Sequence, residues 1–343
     1  MIRIDTVKVS LPLKKKFVIS KGQAAVKTNL ITVLNNRYSG EASGSVYYGP
    51  SIEDIQDDIR RGVGFLTAKK VVDQHTLEEL NELDVHPAAR SALIAMTLNY
   101  ISGETNRYPW EILGVGSPVG IRNSITIGID SPEQVKSEIA HTEHPIIKLK
   151  LGSPHDAEII LLLKEVGGKE IRVDANGAWT LEQAEEMIHG LAMSGVRVIE
   201  QPTGPENVRE WPHLKGKNED IELLIDEGLC TVDDYHSFSE YVDGVNIKMV
   251  KSGGVIEAIK IATKAREEKK KVMLGCMVES SVGIAQSIYM SSLGDYYDLD
   301  GPQLLDEDIA SGISYDKDSI AVDREIIGGP KLKRDVVEKY IQE

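Results

Sequence analysis

Lys148 and Lys150 stand one residue apart in the run IIKLKLG. Asp174, Glu200, Asp226, Lys248, Glu279, Asp298 and Asp300 each follow or close a short, otherwise apolar run farther along the chain. Lys148, Asp174, Glu200 and Asp226 succeed one another at intervals of 26 residues, the length of one strand-loop-helix-loop unit. Asp174, Glu200 and Asp226 offer hard oxygen ligands and cannot crowd together in a dry site without a cation. Three carboxylates with room left for water and substrate oxygens suit Mg²⁺. Side chains two apart on a strand face the same way, so Lys148 and Lys150 point together, and Lys248, three units farther round, faces them. Burial and neighbouring ammonium groups lower a lysine from its ordinary value of about 10.4 toward that of a usable general base. Two lysines on opposite faces of one carbon can remove a proton from one side and return it to the other. The product is a racemised or epimerised centre. Removing a proton α to a carboxylate yields an enediolate, whose second negative charge calls for a fixed cation.

The elements that must hold these residues are legible in the periodicity. From about residue 118, short β-branched segments alternate with amphipathic helical stretches such as DAEIILLLKEV and VIEAIKIATKAREEK, the pattern of a parallel sheet. The expected strands are SITIGI, IIKLKL, EIRVDA, VRVIEQ, ELLIDE, GVNIKMV, KVMLGCMV and YYDLDG. Eight such units can close into a barrel, and charged residues at the C-terminal strand ends then meet at one mouth. A single charge there could equally begin a solvated loop or cap a helix; the recurrence of charge at consecutive units argues for a site. The two lysines of KLK could instead mark an edge strand, but the apolar residues flanking them read as central.

Before the barrel, IRIDTVKVSL and NLITVLNN alternate with period two and predict a small antiparallel sheet. SIEDIQDDIRRGVGFL opens with a serine N-cap, and HPAARSALIAMTLNYI places Ala89, Leu93, Met96 and Tyr100 on one helical face. The resulting fold class is α/β: a modified (β/α) TIM-type barrel over residues 118–315, an α+β capping domain over 1–117, and a C-terminal segment, 316–343, that returns to the cap.

The net charge of −15 over 343 residues argues against nucleic acid or an anionic membrane as the main partner. Only Cys230 and Cys276 are present, in no metal-like spacing, which fits a reducing compartment. No run of about 18 apolar residues occurs, and MIRIDTVKVSLPL reads as a strand rather than a leader. A soluble, cytoplasmic protein is expected, and a homo-oligomer is left open.

Taken jointly, KLK, DANGAW (174–179), EQP (200–202), DEG (226–228), NIKMVKSGG (246–254), GCMVESSVG (275–283) and GEA (40–42) resemble the muconate lactonizing enzyme subgroup of the enolase superfamily, in which a lysine base works with magnesium. The resemblance implies Asp174, Glu200 and Asp226 as Mg²⁺ ligands, Lys150 and Lys248 as the opposed acid and base, Lys148 as an aid to the substrate carboxylate, and Asn176 and Glu279 as supporting polar residues. DLDG (298–301) resembles the acidic pair with which dipeptide epimerases hold a free α-ammonium, implying a small dipeptide of the L-Ala-X type as substrate. An acidic solvated turn is the plainer reading of the same residues. Where such epimerases commonly read Asp-Glu-Ser, this chain has Gly228. The resemblance also places the substrate's distal side chain against the loop 18–27 and the stretch 43–49. Lys21 and Lys27 there are candidates to contact an anion, Lys27 reading rather as a solvated loop residue, while Tyr47 and Tyr48 would suit an apolar pocket. The alternatives are an N-acylamino acid racemase, an o-succinylbenzoate synthase, a muconate cycloisomerase, or a non-catalytic, metal-stabilised ligand-binding paralogue.

Overall fold

The computed structural model describes residues 2–20, 22–44, 49–216 and 218–340. Lys21, Tyr47 and Tyr48 therefore lie outside the described residues. The alternating N-terminal residues form an antiparallel sheet of β1 (Ile4–Ile19), β2 (Gly22–Leu34) and β3 (Tyr38–Ser43), in that order. The stretch 18–27, expected as a loop, belongs mostly to this ladder: Val18 pairs with Gln23, and Leu11 with Lys27. Its backbone groups are satisfied by strand pairing rather than by water. Register slips between Pro12 and Phe17, where proline has no N–H to give.

The helix Ile52–Thr67 starts at Ser51, whose side chain accepts from Asp54 N while the Asp54 side chain accepts from Ser51 N, a reciprocal cap that satisfies two otherwise orphaned donors. The helix Pro87–Thr105 buries Ala89, Leu93 and Met96 as expected, and also Ile94, Leu98 and Asn99. It is covered on several sides, by β3 and by the helices Ile52–Thr67, Gln74–Asn81 and Met249–Ser252. Gly40 makes the approach of β3 feasible, since a Cβ there would lie 2.0 Å from the Ala92 carbonyl oxygen.

After β4 (Ile121–Arg122), eight parallel strands lie side by side in chain order: β5 (Ile125–Ile127), β6 (Ile146–Lys150), β7 (Glu170–Asp174), β8 (Val198–Glu200), β9 (Glu222–Ile225), β10 (Gly244–Lys248), β11 (Lys271–Gly275) and β12 (Tyr296–Asp298). These are the eight expected segments. A bridge between Asn123 and Tyr297, with Ser124 N donating to Tyr297 O at 3.0 Å, brings the last strand round to the first. Alternation along each strand sorts its side chains. Ile147, Leu149, Val173, Ile199, Leu223, Val245, Ile247 and Leu274 join the main core, which includes the surrounding helices. Val198, Leu224 and Met273 form a separate cluster inside the ring. Lys148, Lys150, Asp174, Glu200, Asn246 and Lys248 share the parity of that interior set.

The remainder forms short pairs. β13 (Ala310–Ser311) pairs with β16 (Lys331–Leu332), and β14 (Ile313–Asp316) and β15 (Ser319–Val322) extend β4. β16 touches β3, and the helix Arg334–Tyr340 touches β1, with Val336 packed among Val9, Leu11, Ile31 and Val33. Among the described residues, no helix is long and apolar enough to cross a membrane.

Candidate active site

Inward parity brings the expected charges together at the barrel mouth, where Lys148, Lys150, Lys248, Asp298 and Asp300 line one cavity, while Asp174, Glu200 and Asp226 are fully buried and meet it only through the lysines they hold. Lys148 Nζ lies 3.0 Å from Asp174 Oδ2, 2.7 Å from Glu200 Oε2 and 2.7 Å from Asp298 Oδ2. Lys150 Nζ is 2.5 Å from Asp174 Oδ2, and Lys248 Nζ is 2.7 Å from Asp226 Oδ2. β6 and β10 are four strands apart in the ring of eight, rather than the three expected, so Lys150 and Lys248 come from opposite staves. Both line a cavity of about 420 Å³ between the barrel mouth and the N-terminal cap.

Two residues of this cluster carried no expected role. Lys251, three positions after Lys248, bonds Asp226 through Oδ1 and, at 2.6 Å, through its carbonyl oxygen. Asn246 Nδ2 donates to Glu200 Oε1 at 2.8 Å. The repeated lysine of KMVK and the inward parity of Asn246 were the available signals. Gln201 also supports the floor, its Oε1 accepting from Asp226 N at 2.8 Å and Glu227 N at 2.9 Å. Gln201 (φ 41°) and Asn176 (φ 46°) both occupy the left-handed region, an unfavourable conformation that asparagine tolerates better than glutamine. Asn176 N donates to Asp174 Oδ1 at 2.8 Å, and the Trp179 indole donates to Asp156 Oδ2 at 2.7 Å, pinning the DANGAW loop from both ends.

The electrostatics follow from burial and crowding. Burial works to lower the Lys148 ammonium, but Asp298, Glu200 and Asp174 together outweigh it and hold the group well above the ordinary lysine range. This reverses the lowering expected of a lysine in this cluster. Burial works to raise Asp174, yet Lys150, Lys148 and Lys248 hold it well below the usual carboxylate range; Lys248 and Lys251 do the same to Asp226. Glu200 goes the other way, pushed up to about 8 by burial and then by Asp174.

At the rim, Asp298 ends β12, while Asp300 lies beyond it at the start of the short helix Gly301–Leu304, so the two do not share a strand face as expected. Both line the cavity. Asp298 is engaged by Lys148 and by Ser124 Oγ at 3.0 Å. Asp300 accepts from Thr126 N at 2.7 Å and is pushed up to about 7 by burial and the neighbouring Asp298. Glu279 is buried behind the wall and pushed up to about 8, chiefly by burial and then by Glu41. Lys27 is no solvated loop residue. It lines the cavity from β2, and its ammonium, lowered by burial, is bonded to the Gly44 carbonyl. Phe17, Ile19, Val26, Ile52, Met277 and Leu304 make the rest of the wall largely apolar.

Among the described residues, no three acidic, histidine or cysteine side chains are gathered closely enough to grip one ion, because ammonium groups stand between and beside the carboxylates. The donor set nevertheless suits a divalent cation. Asp174 and Glu200 are register partners on β7 and β8, and Asp226 follows the end of β9. Asp174 and Asp226 both raise Glu200 through repulsion. Glu200 Oε2 is buried and receives no hydrogen bond despite the nearby Lys148. A carboxylate with an orphaned oxygen among like charges gains from a hard cation.

Comparison with known proteins decides the lineage. Residues 130–319 match the family described as Enolase C-terminal domain-like. The chain belongs to the enolase superfamily. Within it, the chain is an isomerase of the epimerase and racemase kind. It is similar to an L-Ala-D/L-amino acid epimerase of Maribacter, 30% identical over 94% of this chain and 96% of that one. A hydrophobic dipeptide epimerase of Roseobacter litoralis is 33% identical over 70% of this chain and 72% of its own. Among solved structures, a dipeptide epimerase of Methylococcus capsulatus complexed with Mg and the dipeptide L-Arg-D-Lys superposes with a TM-score of 0.85 at 25% identity, covering 96% of this chain and 99% of that one.

Proposed function

We propose that the protein is a Mg²⁺-dependent epimerase of dipeptides of the L-Ala-X type, inverting the α-carbon of the C-terminal residue by two-lysine proton transfer through an enediolate. The observation that carries this reading is the placement of Lys150 and Lys248 on opposite staves, both facing one cavity. A proton taken by one amine from one face can be replaced from the other by its counterpart. Asp174, Glu200 and Asp226 would hold the cation, which when bound supplies positive charge beside the substrate carboxylate. Lys148 steadies three carboxylates of the floor and assists that carboxylate. Asp298 and Asp300 receive the free α-ammonium by charge-assisted hydrogen bonds, Asp300 being the more available since Asp298 already holds Lys148. Residues 1–117 serve as the specificity cap, 118–315 as the catalytic barrel and 316–343 as the segment that returns to the cap. The names of the relatives support a dipeptide substrate and magnesium.

The test is isotope wash-in. With Mg²⁺ in deuterated water, a library of dipeptides should lose Cα–H signal at the C-terminal residue for at least a subset of members, and N-acetylated versions should turn over far more slowly. No wash-in across a broad library would sink the reading; equal rates for blocked and free dipeptides would remove the ammonium role and favour an N-acylamino acid racemase.

A further inference from the structure

One carboxylate of the cap gathers its ties to the cavity wall. Glu41 lies on β3, only 2% exposed, and each hydrogen-bond partner facing it donates. Oε1 accepts from Asn29 Nδ2 of the neighbouring β2 at 2.6 Å and from Ser280 N at 3.2 Å. Oε2 accepts from Gly283 N at 2.9 Å, from Ser280 N at 3.2 Å and from Ser280 Oγ. Ser280 is the N-cap of the helix Ser281–Tyr289, so a carboxyl from the cap accepts from N–H groups in the first turn of a barrel helix. Two more hydrogen bonds from the same strands, from Asn29 Nδ2 at 3.0 Å and Ser43 Oγ at 3.5 Å, converge on the carbonyl of Val278, a residue of the cavity wall. The other end of the tie is equally constrained, because β3 is pressed onto the helix Pro87–Thr105 at Gly40. The segment 278–283 is thus tied to the cap sheet by hydrogen bonds at Val278, Ser280 and Gly283.

We propose that Glu41 is a positioning residue of this enzyme: through residues 278–283 it fixes the wall against which the substrate's distal side chain rests, and so sets substrate affinity without touching the substrate. The affinity clause rests on the function proposed above, whereas the fastening of the wall does not.

Two readouts separate them. Amide hydrogen exchange followed by mass spectrometry needs no substrate, and Glu41→Gln, which sets an amide NH₂ among donors, should accelerate exchange over 278–283 by about tenfold. With an active dipeptide, the same variant should raise KM about fivefold while kcat stays within about twofold. Ser280→Ala, which removes the hydroxyl that donates to Glu41 and that, as N-cap, also accepts from Val282 N at 3.1 Å, should move both in the same direction and keeps the test alive if Glu41→Gln does not fold. Tyr289→Phe is the control: it deletes a cap-to-barrel hydrogen bond to Asn99 Oδ1 at the opposite end of the helix Ser281–Tyr289, and should lower the melting temperature with neither effect. Unchanged exchange over 278–283 in both Glu41→Gln and Ser280→Ala overturns the proposal. So does a KM shift that Tyr289→Phe reproduces at equal loss of stability. If no dipeptide turns over, the exchange result alone decides, and the failure belongs to the substrate assignment.

Discussion

The floor and the wall of the cavity are built on different principles. The floor is a lattice of opposite charges, in which each carboxylate of Asp174, Glu200, Asp226 and Asp298 meets at least one lysine ammonium and most of the groups stand at positions set by strand register. The wall is mostly apolar, contributed by Phe17 and Ile19 of β1, Val26 of β2, Ile52 and the barrel residues Met277 and Leu304. Removing one charge from the floor leaves its partner buried and uncompensated, which is costly. Trimming one side chain from the wall only exchanges a little apolar contact. The contrast suggests that reaction chemistry is written into the floor and substrate preference into the wall.

The sharpest way to break that division is at the opposed amines. Lys150→Ala and Lys248→Ala should each lower kcat for epimerisation by about 10³-fold, followed by appearance of the opposite epimer, while calorimetric titration with Mg²⁺ shows binding retained. Full turnover by either variant would mean that opposite staves do not serve opposite faces. Next in size is Lys148→Met, which leaves Asp174, Glu200 and Asp298 short of a cation and should destabilise the protein by about 3–5 kcal/mol. Thermal melts should show the loss, and added Mg²⁺ should recover part of it by binding the folded state. An unchanged melting temperature would remove Lys148 from the centre of the lattice. At the rim, Asp300→Asn should reduce kcat/KM for free dipeptides by about 10- to 100-fold, the worth of a charge-assisted hydrogen bond of roughly 1.5–3 kcal/mol, and leave N-acetylated dipeptides unaffected. The smallest effect belongs to the wall: Ile52→Ala should raise KM about threefold at constant kcat. A fall in kcat instead would erase the distinction between the two regions.

The floor was largely readable from sequence because strands impose alternation and units impose spacing. Lys148, Asp174, Glu200 and Asp226 recur at one-unit intervals, and the structure finds them on the same inward parity. The inward parity of Asn246 and the repeated lysine of KMVK do not say that Asn246 reaches Glu200 or that Lys251 turns back onto Asp226; both contacts depend on ring curvature. Gln201 hides for another reason, since its role is to accept two backbone N–H groups from the following strand end, which no residue pattern announces. The wall was harder still. Lys27 reads as a loop lysine until the β1–β2 ladder carries it over the barrel mouth, and Asp300 reads as a strand residue until the chain turns after Asp298. Lys148 lies above the ordinary lysine range, not below it, because the carboxylates of Asp174, Glu200 and Asp298, brought in from three other strands, outweigh its burial.

The junction between Asn123 and Tyr297 has a bearing on biosynthesis. Asp298, which bonds Lys148, lies 150 residues downstream of it, and the strand that carries it is the last of the eight to be made. While the ribosome is still adding earlier units, the lysine has been translated but one of its carboxylate partners has not, and the ring has two unprotected edges. Such a nascent chain must complete nearly all its units before the charged floor is electrically balanced, a long-range requirement that slows folding. Truncation ahead of residue 296 should therefore yield an aggregating chain rather than a smaller enzyme.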